Sequence, residues 1–308
     1  MIITKLELQA FDIHEELRRI GIEICNDGLE ELIVHSNPDE IVIHNTRKRI
    51  KFLRALLRFV KYEVDGVIFS SQNNFLRHIK NLSTSQREIV VLEKALLQLL
   101  ATSSRSSTIL FLQEVLATIE LEKEKISLDP PHDELVERYK KLIIVYRNLI
   151  REWEFSKKDI RMLVRGLHEL YLRARKLLAV SKVSRDVHHL HDLRKRTKDI
   201  YHIISILRPA SRTDFSGLIR DFKKLSDLLG DIHDLFTIPH YISMLTPHYK
   251  DSAAYGRIVK RINSKIENRI NKAFAAADTV YQLTPYRYRL DIYRKLKKYS
   301  SREFKPKF

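Results

Sequence analysis

Apolar residues recur three and four positions apart along almost the whole chain, the spacing of helices that turn one face to a core. The period predicts helices over about 6–35, 39–62, 72–102, 107–126, 133–151, 157–181, 185–208, 214–229, 231–245 and 252–281, with ends set to within ~2–4 residues. Seven glycines and eight prolines in 308 residues are too few for a β-rich chain, which needs turn residues every ~8–12 positions. Asn37-Pro38-Asp39-Glu40 reads as a helix start, and Ser184 ahead of Arg185-Asp186 as another. Ser127-Leu128-Asp129-Pro130-Pro131 reads as a linker, because two successive prolines cannot continue a helix. Ser103 to Ser107 reads as a turn, and the stretch after Thr284-Pro285 as a last helix or a basic arm. The expected organisation is an all-α chain with an N-terminal half over 1–127 and a C-terminal half over 128–308.

Within this pattern one motif occurs twice. Ile43-His44-Asn45-Thr46-Arg47-Lys48-Arg49-Ile50-Lys51 and Leu190-His191-Asp192-Leu193-Arg194-Lys195-Arg196-Thr197-Lys198 both read His-x-x-Arg-Lys-Arg-x-Lys, 147 residues apart. Arg87-Glu88 precedes His233-Asp234 by 146 residues, as Arg77 precedes Lys223. Landmarks in the same order at nearly the same separation imply a duplicated helical unit.

At ~100° per residue, His44, Arg47, Lys48, Lys51, Arg54 and Arg58 share one helix face. Ile50, Leu53, Leu56, Leu57 and Val60 share the opposite one, with Phe52 at its margin and Arg49 off the stripe. In the second copy His191, Arg194, Lys195, Lys198 and His202 share a face beside Tyr201, against Leu193, Ile200, Ile203, Ile204 and Leu207. Like charges at these spacings cost a helix ~0.2–0.5 kcal/mol per pair. Residues 44–61 hold seven Lys or Arg and no acid, so the first helix calls for a compensating anion. That anion is either an external polyanion or acids of the first helix, such as Glu15, Glu23 or Glu30. Asp192 and Asp199 dilute the second copy.

Composition enlarges the charge argument. With 56 Lys and Arg against 39 Asp and Glu, the formal charge is +17. Ten acids against three basic residues mark 1–40, while nine basic residues against two acids mark 286–308. Such concentration attracts polyanions at long range; a solubilising surface is the plainer alternative. One cysteine, Cys25, excludes an internal disulfide and a cysteine-built zinc site and fits a reducing compartment. No run approaches the ~18 apolar residues of a membrane span, and acids come too early for a secretory signal. The expected location is cytoplasmic. A ladder of Lys and Arg with few stacking aromatics suits a linear phosphate chain better than the bases of a nucleic acid. Nucleic acid stays open as an alternative partner. The histidines gain charge near ~6.5 when unperturbed. A metal reading of His188, His189, His191 and His202 lacks a His-Glu-x-x-His spacing, and no metal or other cofactor is expected.

These residues resemble the CHAD family, the conserved-histidine α-helical domain. The likeness rests on Val42 to Arg58, on Leu190 to Lys198, and on Leu228-Leu229-Gly230-Asp231-Ile232-His233-Asp234. Tyr171-Leu172-Arg173-Ala174-Arg175-Lys176 adds a tyrosine-plus-basic helix. The resemblance implies two pseudo-symmetric four-helix bundles whose basic helices line a shared surface or central channel, and inorganic polyphosphate as the ligand. Carried over by motif, the contacts are His44, Arg47, Lys51 and Arg54, and His191, Arg194, Lys195 and Lys198. Lys48 and Arg58 of the stripe, Arg175, and Arg77, Lys80, Arg87, Lys223 and Lys224 are further candidates. The chain departs from the family pattern at Phe52, Asp199 and Tyr201, where basic residues are common, and at His233.

Catalysis is not expected. Some relatives carry a triphosphate-processing barrel with a Glu-x-Glu-x-Lys strand, but Glu120-Leu121-Glu122-Lys123-Glu124-Lys125 has different spacing and helical surroundings. There is no glycine-rich phosphate loop and no carboxylate cluster of the kind that holds metal for phosphoryl transfer. Asp231 and Asp234 read as a helix cap or as partners of basic side chains. The expectation is a non-catalytic polyphosphate binder with a scaffold or targeting role at polyphosphate granules; a polyphosphate-processing enzyme is the remaining alternative.

Overall fold

The computed structural model describes residues 12–34, 40–128, 131–156, 159–207 and 212–302, with backbone alone at 40, 87, 127–128, 132, 212–214 and 298–302. The helix start read at Asn37 to Asp39, the Asp129-Pro130 part of the linker and the tail from 303 onward lie outside them. Among the described residues the chain is all-α. Its helices are α1 Ile13–Val34, α2 Glu40–Phe59, α3 Gly66–Asn81, α4 Thr84–Ala101, α5 Ser106–Leu128 and α6 His132–Arg151. They continue with α7 Ile160–Ser184, α8 Val187–Ile206, α9 Arg212–Leu245, α10 Ala253–Val280 and α11 Pro285–Arg302.

Helix α1 packs on α2 and α6, and α2 and α6 each pack on α3. The contacts of α6 therefore run back to the N-terminal helices. Helix α8 packs between α7 and α9, α10 lies on α9, and α11 on α7. The groups meet along α2, which packs on both α7 and α8, while the α4–α5 pair lies against α9 and α10. One buried apolar cluster runs through all of these contacts.

Two expectations about helix ends are corrected. The helix expected over 72–102 is broken at Leu82-Ser83 into α3 and α4. Arg47 reaches this break from α2, its Nη1 donating to the Lys80 carbonyl at 2.6 Å and to Ser83 Oγ at 3.3 Å. A buried cation thereby serves the carbonyl end of α3, and Ser83 Oγ lies 2.7 Å from Tyr139 Oη. Conversely, the helices expected over 214–229 and 231–245 are one, α9, with Pro239 inside it.

The corner between α7 and α8 also differs from expectation. Asp186, not Ser184, caps α8, its carboxylate accepting from the His188 N–H at 2.8 Å. Ser184 ends α7, and Arg185 turns the chain with φ of 50°. Close approach fixes another contact: a Cβ on Gly166 would meet the Phe59 carbonyl oxygen at 2.4 Å, so glycine there lets α7 pass against the end of α2.

Candidate polyanion-binding site

The apolar face of α2 is buried through Ile50, Leu53, Leu56, Leu57 and Val60, which turns its basic face toward α3 and α8. Lys48 and Lys51 are exposed, Arg54 and Arg58 half-buried, and Arg47 buried. Phe52 is 5% exposed and stacks on His202 of α8 with ring centroids 4.6 Å apart. An aromatic at that position joins the two motif-bearing helices instead of adding charge.

Acids of α1 are directed elsewhere. Glu15 pairs with Arg18, Glu23 with Arg19, and Glu31 with Arg49. Arg49 is the motif residue that points off the stripe. Asp199 of α8 does meet the stripe. Its carboxylate accepts from Arg58 Nη1 at 3.0 Å and from Arg196 Nη1 at 2.7 Å. Burial raises the Asp199 carboxyl above its ordinary range, against the pull of Arg58, Arg196 and Arg54.

Around this acid, cations crowd. Burial lowers Arg54 to about 10, with Arg58, Arg77 and Arg196 adding to the effect, while Asp199 opposes it. Burial also lowers Arg58, helped by Arg196 and Arg77. Lys80 is lowered by burial and by Arg47, Arg54 and Lys195. Lys198 is lowered by burial and by Arg194, Lys223 and Lys48. The fold thus places Lys48, Arg54 and Arg58 of α2, Arg77 and Lys80 of α3, Arg194, Lys195 and Lys198 of α8, and Lys223 of α9 in one positive field. Each cation there raises the cost of charging its neighbours.

The second copy is organised by α9. A Cβ on Gly230 would stand 3.3 Å from Arg194 Nε, so the glycine of the Leu-Leu-Gly-Asp segment makes room for this guanidinium, whose Nε is buried without a hydrogen-bond partner. His191 stacks on His233 with centroids 4.0 Å apart. Burial, His233, Lys195 and Arg194 hold His191 down at about 3. The expectation that His191 gains charge near neutrality is therefore corrected. His202 is also held at about 3, by burial and by Lys198 and Lys51. Lys195 pairs with Asp192 at 2.9 Å and Lys223 with Asp227 at 2.7 Å. Lys224 is exposed beside Lys223, Arg220 and Asp231.

The remaining candidates are dispersed. Arg175 donates to the Leu283 carbonyl in the α10–α11 connection. Tyr171 donates to the same oxygen at 2.9 Å and stacks on Tyr288 at 3.8 Å. The tyrosine-plus-basic segment thus anchors α11. His44 lies on a cleft between α2, α4 and α5, and the Arg87 side chain is outside the described residues. Asp231 does not cap a helix, since α9 is continuous there; it lies 3.4 Å from Arg269 of α10. His188 packs on Phe236, and His189 meets Ser184 Oγ at 2.9 Å. Among the described residues no three His, Cys, Asp or Glu side chains converge to hold a metal ion, and no helix is long and apolar enough to cross a membrane.

Sequence reasoning missed the Asp199 clamp and the Gly230 cradle. An acid directly after a basic motif and a glycine inside a helical period are the signals that mark them.

PptA from Streptomyces chartreusis shares the fold, with a TM-score of 0.61 at 12% identity over 88% of this chain and 99% of that one. No curated protein matches the sequence. The CHAD domain family model matches residues 28–242, a span that holds both copies of the motif, the Gly230 segment and every candidate contact. This chain belongs to the CHAD family.

Proposed function

We propose that this protein binds inorganic polyphosphate without turning it over, along a basic channel formed by the facing stripes of α2 and α8. The observation that carries this reading is the convergence of Arg54, Arg58, Lys80 and Lys198, each lowered first by burial and then by neighbouring cations from α2, α3, α8 or α9. A chain of phosphates laid along these helices relieves that repulsion one residue after another, with Arg supplying forked donors and Lys point charges. The repeated motif marks an internal duplication whose halves each supply one wall. Membership of the CHAD family supports the ligand class, and a scaffold or targeting role at polyphosphate granules follows from binding without chemistry.

The test is a titration with long-chain polyphosphate from ~0.05 to 0.3 M salt. Log affinity should fall linearly with log salt, with a slope set by the number of phosphates neutralised, as counterion release dictates for DNA. Failure to bind at ~0.1 M salt rejects the reading. Duplex DNA or RNA displacing the polymer at equal phosphate concentration would favour a nucleic-acid ligand. Release of orthophosphate with added magnesium or manganese would make the protein an enzyme.

A further inference from the structure

Among the described residues, helix α2 packs chiefly on α1, α3, α7 and α8, and α4 on α5 and α9. A cleft of about 500 Å³ lies between the first half of α2, α4 and the end of α5. That volume falls within the ~300–1,000 Å³ of small-molecule sites.

Its walls divide by chemistry. Ile43, Ile89, Val90 and Ile126 form an apolar wall, with Ile41, 64% exposed, at the lip. His44 and Lys48 of the α2 stripe and Lys94 of α4 add basic groups to the lining. The lining also holds acceptors: Gln86, whose Oε1 is buried with no hydrogen-bond partner, and the carboxylates of Glu120 and Glu124. Lys123 is already taken, 3.0 Å from Glu93 and 3.5 Å from Glu120.

A bare phosphate chain does not suit this cleft, because it leaves the apolar wall uncovered and offers Gln86 Oε1 no donor. An alkyl chain leaves Gln86 unsatisfied, at the cost of a buried unpaired acceptor. A flat ring bearing N–H donors, joined to a hydroxylated sugar and a phosphate tail, answers all three sets of groups. We infer that the cleft is a second site, for a nucleoside polyphosphate. The base lies against Ile43, Ile89 and Val90, its N–H donors and the sugar hydroxyls face Gln86 and the carboxylates, and the phosphates leave past His44 and Lys48 toward Lys51. The site goes beyond the polymer reading and shares His44, Lys48 and Lys51 with it.

Equilibrium binding of ATP, tripolyphosphate and adenosine at ~0.15 M salt tests it. ATP should bind at least ~10-fold tighter than either of the others. Gln86→Leu and Ile41→Ser, the latter at an exposed position that spares the core, should each weaken ATP by ~5-fold or more. Both variants should leave long-chain polyphosphate affinity within ~2-fold. Tripolyphosphate binding as tightly as ATP, or ATP indifferent to both variants, overturns the site. If polyphosphate fails to bind while ATP keeps this pattern, the polymer reading alone is lost.

Discussion

The two copies of the His-x-x-Arg-Lys-Arg-x-Lys motif hold the same residues in different employment. In the α2 copy, Arg47 is spent on the α3–α4 break and Arg49 on Glu31 of α1, while Lys48 and Lys51 are exposed. In the α8 copy, Lys195 and Arg196 are tied to acids of their own helix, Asp192 and Asp199. Arg194 is cradled by Gly230, and His191 is stacked on His233. The α2 copy is neutralised from outside, by elements up to 141 residues away; the α8 copy is neutralised largely from within. A repeated motif therefore repeats a charge pattern and a helix phase, while the neighbours decide which members remain available to a ligand.

The contact that joins the copies gives the largest test. Asp199→Ala leaves Arg58 and Arg196 half-buried beside Arg54 with no shared anion, and should cost ~3–5 kcal/mol in urea unfolding. Saturating polyphosphate should restore part of the loss, since ligand that binds only the folded state stabilises it. An unchanged midpoint would show that Asp199 does not hold the two stripes together.

Reversing charges separates the copies. Lys48→Glu with Lys51→Glu should weaken polyphosphate by ~30–100-fold, and Lys195→Glu with Lys198→Glu by ~10-fold, because Lys195 already shares its charge with Asp192. Equal losses would erase the asymmetry, and no loss in the first pair would remove α2 from the site.

The half-buried histidines His191 and His202 contribute a pH dependence. In the folded chain His191 and His202 stay neutral down to about 3, while in the unfolded chain they take up a proton near ~6.5. Below ~6.5 the unfolded state binds more protons, so stability present above that pH is lost as pH falls toward 3. At pH 5 the loss should be ~1–2 kcal/mol per histidine, read as a lower Tm than at pH 7.5. A flat profile over that interval contradicts the burial of these rings.

The smallest effect belongs to Gly230→Ala. The added Cβ displaces Arg194 from a 3.3 Å approach, but a guanidinium is the far end of a flexible side chain, and alanine regains ~1 kcal/mol of helix propensity. Stability should change by less than ~1 kcal/mol, with polyphosphate affinity falling ~2–3-fold if Arg194 contacts the chain. Unchanged affinity would make the cradle a packing device only.

The sequence by itself determined the helical class, the core faces of α2 and α8 and the stripe opposite them, because a 3.6-residue period writes burial directly into residue order. It also marked both motif copies and the Gly230 segment. It missed the break at Leu82-Ser83 because no glycine or proline stands there; the capping group is Arg47, from another helix. It split α9 at Gly230 because a glycine in a helical period reads as an end, whereas here the missing Cβ serves Arg194. It read Asp199 as dilution of the second stripe, although the fold places that carboxylate against the first. Only the tertiary structure decided which cations are clamped and which are wet. Pairing partners lie one helix diameter away in space and scores of residues away in the chain, and helical periodicity carries no record of them.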